Sequence, residues 1–170
     1  WQAPPGPAAP VTRAPGDVAW FFYTSGTTGR PKGATLTHAN LVAMALCQLT
    51  DVDQVGPGEA YLYAAPLSHG AGLYGLAHVR AGSRHVFPPS GGFDAAEVLD
   101  LARAIGDLSL FAAPTMVRRL VRAARERGSD GTGLKTVVYG GGPMYLADIQ
   151  EALAVLGDKF VQIYGQGESP

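Results

Sequence analysis

Residues 108–139 read LSLFAAPTMVRRLVRAARERGSDGTGLKTVVY, and the character of this stretch changes twice along its length. Leu108 to Ala112 is a short apolar run suited to a buried strand. Pro114 to Arg127 reads as a helix with proline in its first turn, where a missing N–H is harmless. Thr136 to Tyr139 returns to strand. Strand, helix and strand in this order form the repeating unit of a parallel sheet, because two parallel neighbours need a crossover long enough to hold a helix.

The same alternation extends in both directions. Toward the amino terminus the pattern predicts strand at Val18 to Tyr23. Helix follows at Thr37 to Leu49, with Thr37 as N-cap and Leu41, Met44, Ala45 and Gln48 at helical spacing. Ala60 to Ala64 reads as strand, Gly72 to Ala81 as a glycine-weakened helix and Arg84 to Phe87 as strand. Asp94 followed by Glu97 is a capping-box start for a helix running to about Ile105. Toward the carboxyl terminus, Tyr145 to Leu156 reads as helix and Lys159 to Tyr164 as strand. The fold class is therefore α/β, a mostly parallel sheet with helices on both faces. Open sheets of this kind hold ligands at the carboxyl ends of their strands, so the loops after Tyr23, Ala64, Ala112, Tyr139 and Tyr164 are where chemistry is expected.

Composition narrows the function classes. Thirteen Lys and Arg against 14 Asp and Glu leave a formal charge of -1 over 170 residues, with no block of like charge to grip nucleic acid. Gly, Pro, His and Arg interrupt every apolar run before the roughly 18 residues of an integral membrane segment are reached. A single cysteine, Cys47, excludes an internal disulfide framework and favours a reducing, cytoplasmic setting. Cys47 is expected on the apolar face of its helix, packed and inert. Residues 1–15 carry five prolines and read as a linker or the tail of something preceding; residues 16–170 carry the α/β pattern.

The most unusual loop is Tyr23 to His38, YTSGTTGRPKGATLTH. Thr24, Ser25, Thr27 and Thr28 interleave with Gly26 and Gly29, then Lys32 and Gly33 follow. Glycines let the backbone turn several N–H groups toward one anion, hydroxyls add donors, and lysine adds a mobile positive charge. By composition this is a triphosphate cradle. It is not the common P-loop, because Pro31 and Gly33 stand where that motif has Gly before and Ser or Thr after the lysine.

The run closely resembles the phosphate-binding loop of the adenylate-forming superfamily, which includes acyl- and aryl-CoA synthetases, amino-acid adenylation domains and firefly-type luciferases. Two further segments match in order. Pro66 to Gly70, PLSHG, resembles the loop bordering the acyl pocket, and Tyr164 to Glu168, YGQGE, resembles the family's tyrosine, glycine, variable, threonine, glutamate motif. Between them Gly140, Gly141, Gly142 and Pro143 are similar to the family's glycine-rich turn. The resemblance implies that Thr24, Ser25, Gly26, Thr27, Thr28, Gly29 and Lys32 hold the phosphates of ATP. It implies that Tyr164 lies against the adenine, with Gly165, Gln166 and Gly167 lining the nucleotide site, that Glu168 holds Mg²⁺, and that His69 stands where the reacting carboxylate meets the acyl tunnel. Gly140 to Gly142 would let backbone approach the adenylate. Gly167 departs from the family, which has threonine before the glutamate.

The implied reaction has two halves. A carboxylate oxygen attacks the α-phosphorus of Mg·ATP and pyrophosphate leaves; the thiol of CoA then attacks the acyl-adenylate. The partners are thus a small carboxylic acid, ATP and CoA. No acidic residue lies between His69 and Ser90 to meet a substrate ammonium, which favours fatty or aryl acids over amino acids. The resemblance also implies an AMP-binding domain incomplete at both ends. The family's second lysine and mobile C-terminal domain are missing, so the 170 residues alone are expected not to turn over. The alternatives are a nucleotide-binding module without turnover and part of an amino-acid adenylation domain.

Other features carry less. His38, His69, His78 and His85 match no zinc spacing. Ser25 lacks the flanking glycines of a nucleophile elbow. Tyr145 stands where the last glycine of a dinucleotide fingerprint would follow Gly140. Arg118, Arg119, Arg122, Arg125 and Arg127 share one predicted helix and read as its solvated face.

Overall fold

The computed structural model of the chain describes residues 9–24 and 31–169. Two strands come first, β1 (Val18–Thr24) and β2 (Lys32–Thr37), followed by helix α1 (His38–Cys47), which runs on into a π-helical turn at Gln48–Val52. The remainder alternates: β3 (Ala60–Leu62), α2 (Gly70–Ala81), β4 (Arg84–Val86), α3 (Ala95–Ile105), β5 (Leu108–Ala112), α4 (Pro114–Arg127), β6 (Leu134–Tyr139), α5 (Leu146–Leu156) and β7 (Phe160–Gln162). Strands β3 to β7 form one parallel sheet in the order β4-β3-β5-β6-β7.

That order contains a change of direction. From β3 the chain crosses through α2 to β4 on one side, whereas from β5 it crosses through α4 to β6 and through α5 to β7 on the other. Right-handed crossovers running in opposite directions put their helices on opposite faces. Accordingly α3, α4 and α5 pack side by side on one face, while α2 packs with α1 on the other. The crevice at such a switch point opens between the carboxyl ends of β3 and β5.

The two faces bury different chemistry. Leu108, Leu110 and Ala112 alternate along β5 toward α3 and α4, where they meet Val98, Ala102, Val117, Leu120 and Val121 in one apolar core. Each such leucine, at 0% exposure, contributes about 1.5–3 kcal/mol. Ser109 points the other way and donates to Asp53 Oδ2 at 3.0 Å. Asp53 Oδ1 also lies 3.0 Å from Lys135 Nζ, which reaches Glu59 Oε2 at 2.6 Å, so a buried carboxylate is paired at the amino end of the sheet, remote from the strand tips. A second apolar cluster, Leu36, Met44 and Leu73 with Trp20, Phe22 and Tyr74 against it, joins the β1/β2 hairpin to α1 and α2.

Local signals work largely as read. Thr37 caps α1, its Oγ1 accepting from Asn40 N at 3.3 Å while Asn40 Oδ1 accepts from Thr37 N at 2.9 Å. Asp94 caps α3 by accepting from Glu97 N at 2.9 Å, but the Glu97 carboxylate turns to Ser90 N and Oγ instead of closing the box. On α4, Arg125 meets Glu151, Arg118 approaches Asp148 and Arg127 meets Asp100, so the arginine face is tied to α5 and α3.

Three expectations are corrected. Lys32–Thr37 is a strand, antiparallel to β1 and outside the parallel sheet; only Leu36 in it is buried, which leaves too weak an alternation to announce a strand beside a glycine-rich loop. Strand β7 stops at Gln162, so Tyr164 lies beyond it. Cys47 is exposed: Met44, Ala45 and Gln48 take the buried side of α1 and its turn, and Val42, Leu46 and Cys47 face outward from a helix apolar on more than one side.

Candidate active site

A cavity of about 360 Å³ opens at the carboxyl ends of β3, β5, β6 and β7. Ala65, Pro66, His69 and Gly70 line it after β3, Ala113 and Met116 after β5, Gly140 and Gly141 after β6, and Ile163, Gly165, Gln166 and Gly167 after β7. Phe22 enters from the hairpin, and Phe111 and Tyr74 complete the wall. Among the described residues, no acidic or basic side chain other than His69 contributes to this lining. Such a surface suits the body of an apolar ligand, with a few convergent polar groups to fix its orientation.

The polar edge is mostly backbone. Gly140 follows β6 between its two neighbours: its N–H lies 3.4 Å from Ala112 O, and Ile163 N donates to Tyr139 O at 2.9 Å. A Cβ at Gly140 would stand 2.8 Å from the Ile163 carbonyl oxygen, so only glycine lets the β7 segment close over this point. Gly141 has φ +78, a left-handed conformation that turns the chain outward, and its missing side chain leaves open space facing the cavity. Glycine is thus favoured in this turn for two separate reasons, close packing against Ile163 at Gly140 and a left-handed backbone at Gly141. Gly142 and Pro143 lie outside the lining.

His69 is the N-cap residue of α2, and its carbonyl accepts from Gly72 N at 3.0 Å. Its Nδ1 lies 3.1 Å from Ser68 Oγ, and its ring sits 5.8 Å from that of Phe22 at 44°. The hairpin and the Pro66–Gly70 loop thus meet at the cavity mouth. Tyr74, one helical turn further along α2, stacks on Phe111 with centroids 5.6 Å apart, and burial raises its phenol above the ordinary value.

The expected residues do not all converge. His69, Gly140, Gly141, Gly165, Gln166 and Gly167 share the cavity. Lys32 is exposed and pairs in register with Thr24, so the two close the strand ends that flank the Ser/Thr/Gly-rich segment, two residues beyond Phe22. Ser25, Gly26, Thr27, Thr28 and Gly29 lie outside the described residues. Tyr164 is 91% exposed beside the cavity, its hydroxyl accepting from Gln166 Nε2 at 3.2 Å, and presents an open aromatic face. Glu168 is exposed at the tip of a tight turn closed by two 3.0 Å hydrogen bonds between Gln166 and Ser169.

Sequence reading missed Phe22, Tyr74, Phe111, Met116 and Ile163. Each sits in a run that is apolar for ordinary packing reasons, and nothing short of strand register distinguishes Phe111, which faces the cavity side, from Leu110, which faces the core.

Among the described residues no three His, Cys, Asp or Glu side chains gather as a metal cage. Glu168, next to Gly167 of the cavity lining, carries a hard carboxylate oxygen of the type that magnesium takes together with phosphates and retained waters. No helix among the described residues is long and apolar enough to cross a membrane.

Known proteins carry the same pattern. Feruloyl-CoA synthase of an Amycolatopsis species is 36% identical over 155 residues, covering 90% of this chain and 31% of the relative. A medium/long-chain fatty acid–CoA ligase of Mycobacterium tuberculosis is 30% identical over 167 residues, 98% of this chain and 28% of the relative. The crystal structure of ATP-bound MatB from Rhodopseudomonas palustris superposes with a TM-score of 0.76 at 30% identity, covering 93% of this chain and 31% of that one. The chain therefore spans roughly a third of the length of the proteins it matches. The family model described as AMP-binding enzyme matches residues 1–170, with parallel-sheet architecture, glycine-edged cavity and ordered motifs in agreement, and the chain belongs to that family.

Proposed function

We propose that the protein carrying this chain activates an apolar carboxylic acid with ATP, releases pyrophosphate and transfers the acyl group from the adenylate to the thiol of CoA. The observation that carries the reading is the union of an apolar cavity with a glycine backbone edge at the sheet's switch point, beside a hairpin whose connection is the Ser/Thr/Gly loop. Because the chain covers about a third of its relatives, thioester formation is assigned to the whole protein.

In this reading Thr24 to Gly29 and Lys32 hold the triphosphate through backbone N–H groups, hydroxyls and one mobile positive charge. Tyr164 offers its exposed ring to the adenine. Magnesium, when bound, neutralises phosphate charge, with Glu168 among its ligands. His69, with Nδ1 engaged by Ser68, directs the other face of its imidazole to the acid carboxylate. The bare backbone of Gly140 and Gly141 leaves room for the mixed anhydride, and Gly167 leaves a hydroxyl's place to backbone N–H or water. Two anions must meet, so the site works by positioning and charge stabilisation, and no protein nucleophile is required.

An amino-acid substrate is disfavoured by a specific observation: among the described residues, the cavity lining holds no carboxylate to meet an ammonium group. Hydroxylamine trapping tests the proposal. Incubating the protein with ATP, magnesium and an apolar acid should yield the hydroxamate in the absence of CoA; ATP hydrolysis without hydroxamate would favour a phosphatase role instead, and intact ATP a binding role.

A further inference from the structure

We propose that the Phe111 ring is the floor of the acyl end of the cavity and restricts the acid to compact, flat acyl groups, aryl and short unsaturated acids in preference to long saturated ones. The inference rests on the reading above and names its substrate class.

The floor is built from three elements. Phe111 leaves β5 on the α2 side of the sheet, opposite Leu110 and Ala112, and its ring lies directly on the backbone of Gly70. A Cβ at Gly70 would stand 3.0, 3.2 and 3.3 Å from Cζ, Cε1 and Cε2 of that ring. Gly70 is thus the residue that lets the ring settle between β5 and the first turn of α2. Four residues on, Tyr74 stacks against the same ring with planes 28° apart. Both rings also line the cavity, so they form an aromatic wall there and not only core packing.

Among the described residues, the layer beneath the ring offers no continuation for a hydrocarbon chain. One step back along β5 on the same face is Ser109, 1% exposed and bonded to Asp53. Its register partner on β3 is Tyr61, also 1% exposed, whose hydroxyl donates to Ala71 O at 3.0 Å and whose ring stacks on His78 at 4.2 Å. This layer is closed and its polar groups are satisfied, and an alkyl tail entering it would strand them without partners. The cavity is therefore blind at Phe111. An offset or edge-on approach to the Phe111 and Tyr74 rings favours a flat π-system over a flexible chain, which would also lose rotamer freedom on binding.

The test measures acid-dependent pyrophosphate release by the whole protein with benzoate, cinnamate, octanoate and laurate, taking kcat/KM for each. The wild type should favour benzoate and cinnamate over laurate. Phe111→Ala should raise the laurate-to-cinnamate ratio by at least about tenfold, the scale of discrimination that a methylene or two provides in an apolar pocket. Phe111→Leu, which keeps an apolar contact, should shift the ratio the same way by less, and it carries the test if the alanine variant fails to fold. Gly70→Ala, which drives the ring into the cavity, should lower cinnamate relative to benzoate. A wild type that prefers laurate, or Phe111 variants that lower every acid by one common factor, would overturn the proposal while leaving acid activation intact. No release with any acid would overturn the underlying reading and the proposal with it.

Discussion

Replacing Gly72 with alanine tests how tightly the fold fixes the Pro66–Gly70 loop. Gly72 lies in the first turn of α2, and a Cβ there would stand 2.0 Å from the carbonyl oxygen of Leu67, 2.9 Å from its carbonyl carbon and 3.2 Å from the Trp20 ring. Carbon and oxygen in close non-bonded contact need about 3.3 Å, so the loop must retreat by about 1.3 Å. The obstructing atoms are backbone and cannot rotate aside. Leu67 is two residues before His69, and the loop is closed by His69 N donating to Pro66 O at 3.1 Å, so His69 moves with it. A misplacement of about 1 Å at a positioning group costs about a hundredfold in rate. Gly82 at the other end of α2 is the control: it has φ +70 and ψ 24, and a Cβ there meets nothing within 4 Å. Gly82→Ala should cost about 1–2 kcal/mol of stability through the left-handed backbone alone. Pyrophosphate release and thermal melting measured side by side should show Gly72→Ala losing about two orders of magnitude in kcat/KM and Gly82→Ala losing only melting temperature. Full activity in Gly72→Ala with normal melting would refute the claim that the Leu67 carbonyl fixes His69.

Three further outcomes follow from the same geometry. Lys32→Ala should lower adenylation by about a hundredfold or more without altering the fold, since the side chain is exposed and the task proposed for it is to meet phosphate charge; unchanged pyrophosphate release would remove it from the site. Glu168→Gln should shift the magnesium titration to higher concentration, because an amide oxygen is the poorer ligand for a hard dication; superimposable titrations would sink that role. Burial lowers His78 to about 4 from 6.5 against the pull of Asp53, so below the unfolded value the unfolded chain binds the extra proton and stability falls as pH drops from 6.5 toward 4. Urea unfolding should register a loss of about 2 kcal/mol between about pH 7 and pH 5 that is absent in His78→Gln.

How much was readable depends on which physical signal each element carries. Strand β5 and helix α4 end where the apolar run, the first-turn proline and Gly128 end them, because those signals are local. Strand β2 escaped because only Leu36 in it is buried, and its pairing with β1 is a tertiary fact. The polar half of the proposed site is legible as residue types that apolar packing does not ask for: His69 and the Gly140 turn in the cavity lining, Lys32 and Glu168 outside it. Its apolar half is not, since Phe22, Phe111 and Met116 look like core until the tertiary fold brings four strand tips of the parallel sheet and the β1/β2 hairpin to one crevice. The same limit explains Cys47: the composition of α1 permits more than one buried face, and α2 decides which.

The most direct test of the account is acid-dependent exchange of labelled pyrophosphate into ATP by the whole protein. Exchange should require an apolar acid and magnesium, proceed without CoA, and fall in Lys32→Ala. Exchange that is absent with every apolar acid, or ATP cleavage to ADP and phosphate in its place, would contradict the assignment of this cavity to acyl-adenylate formation.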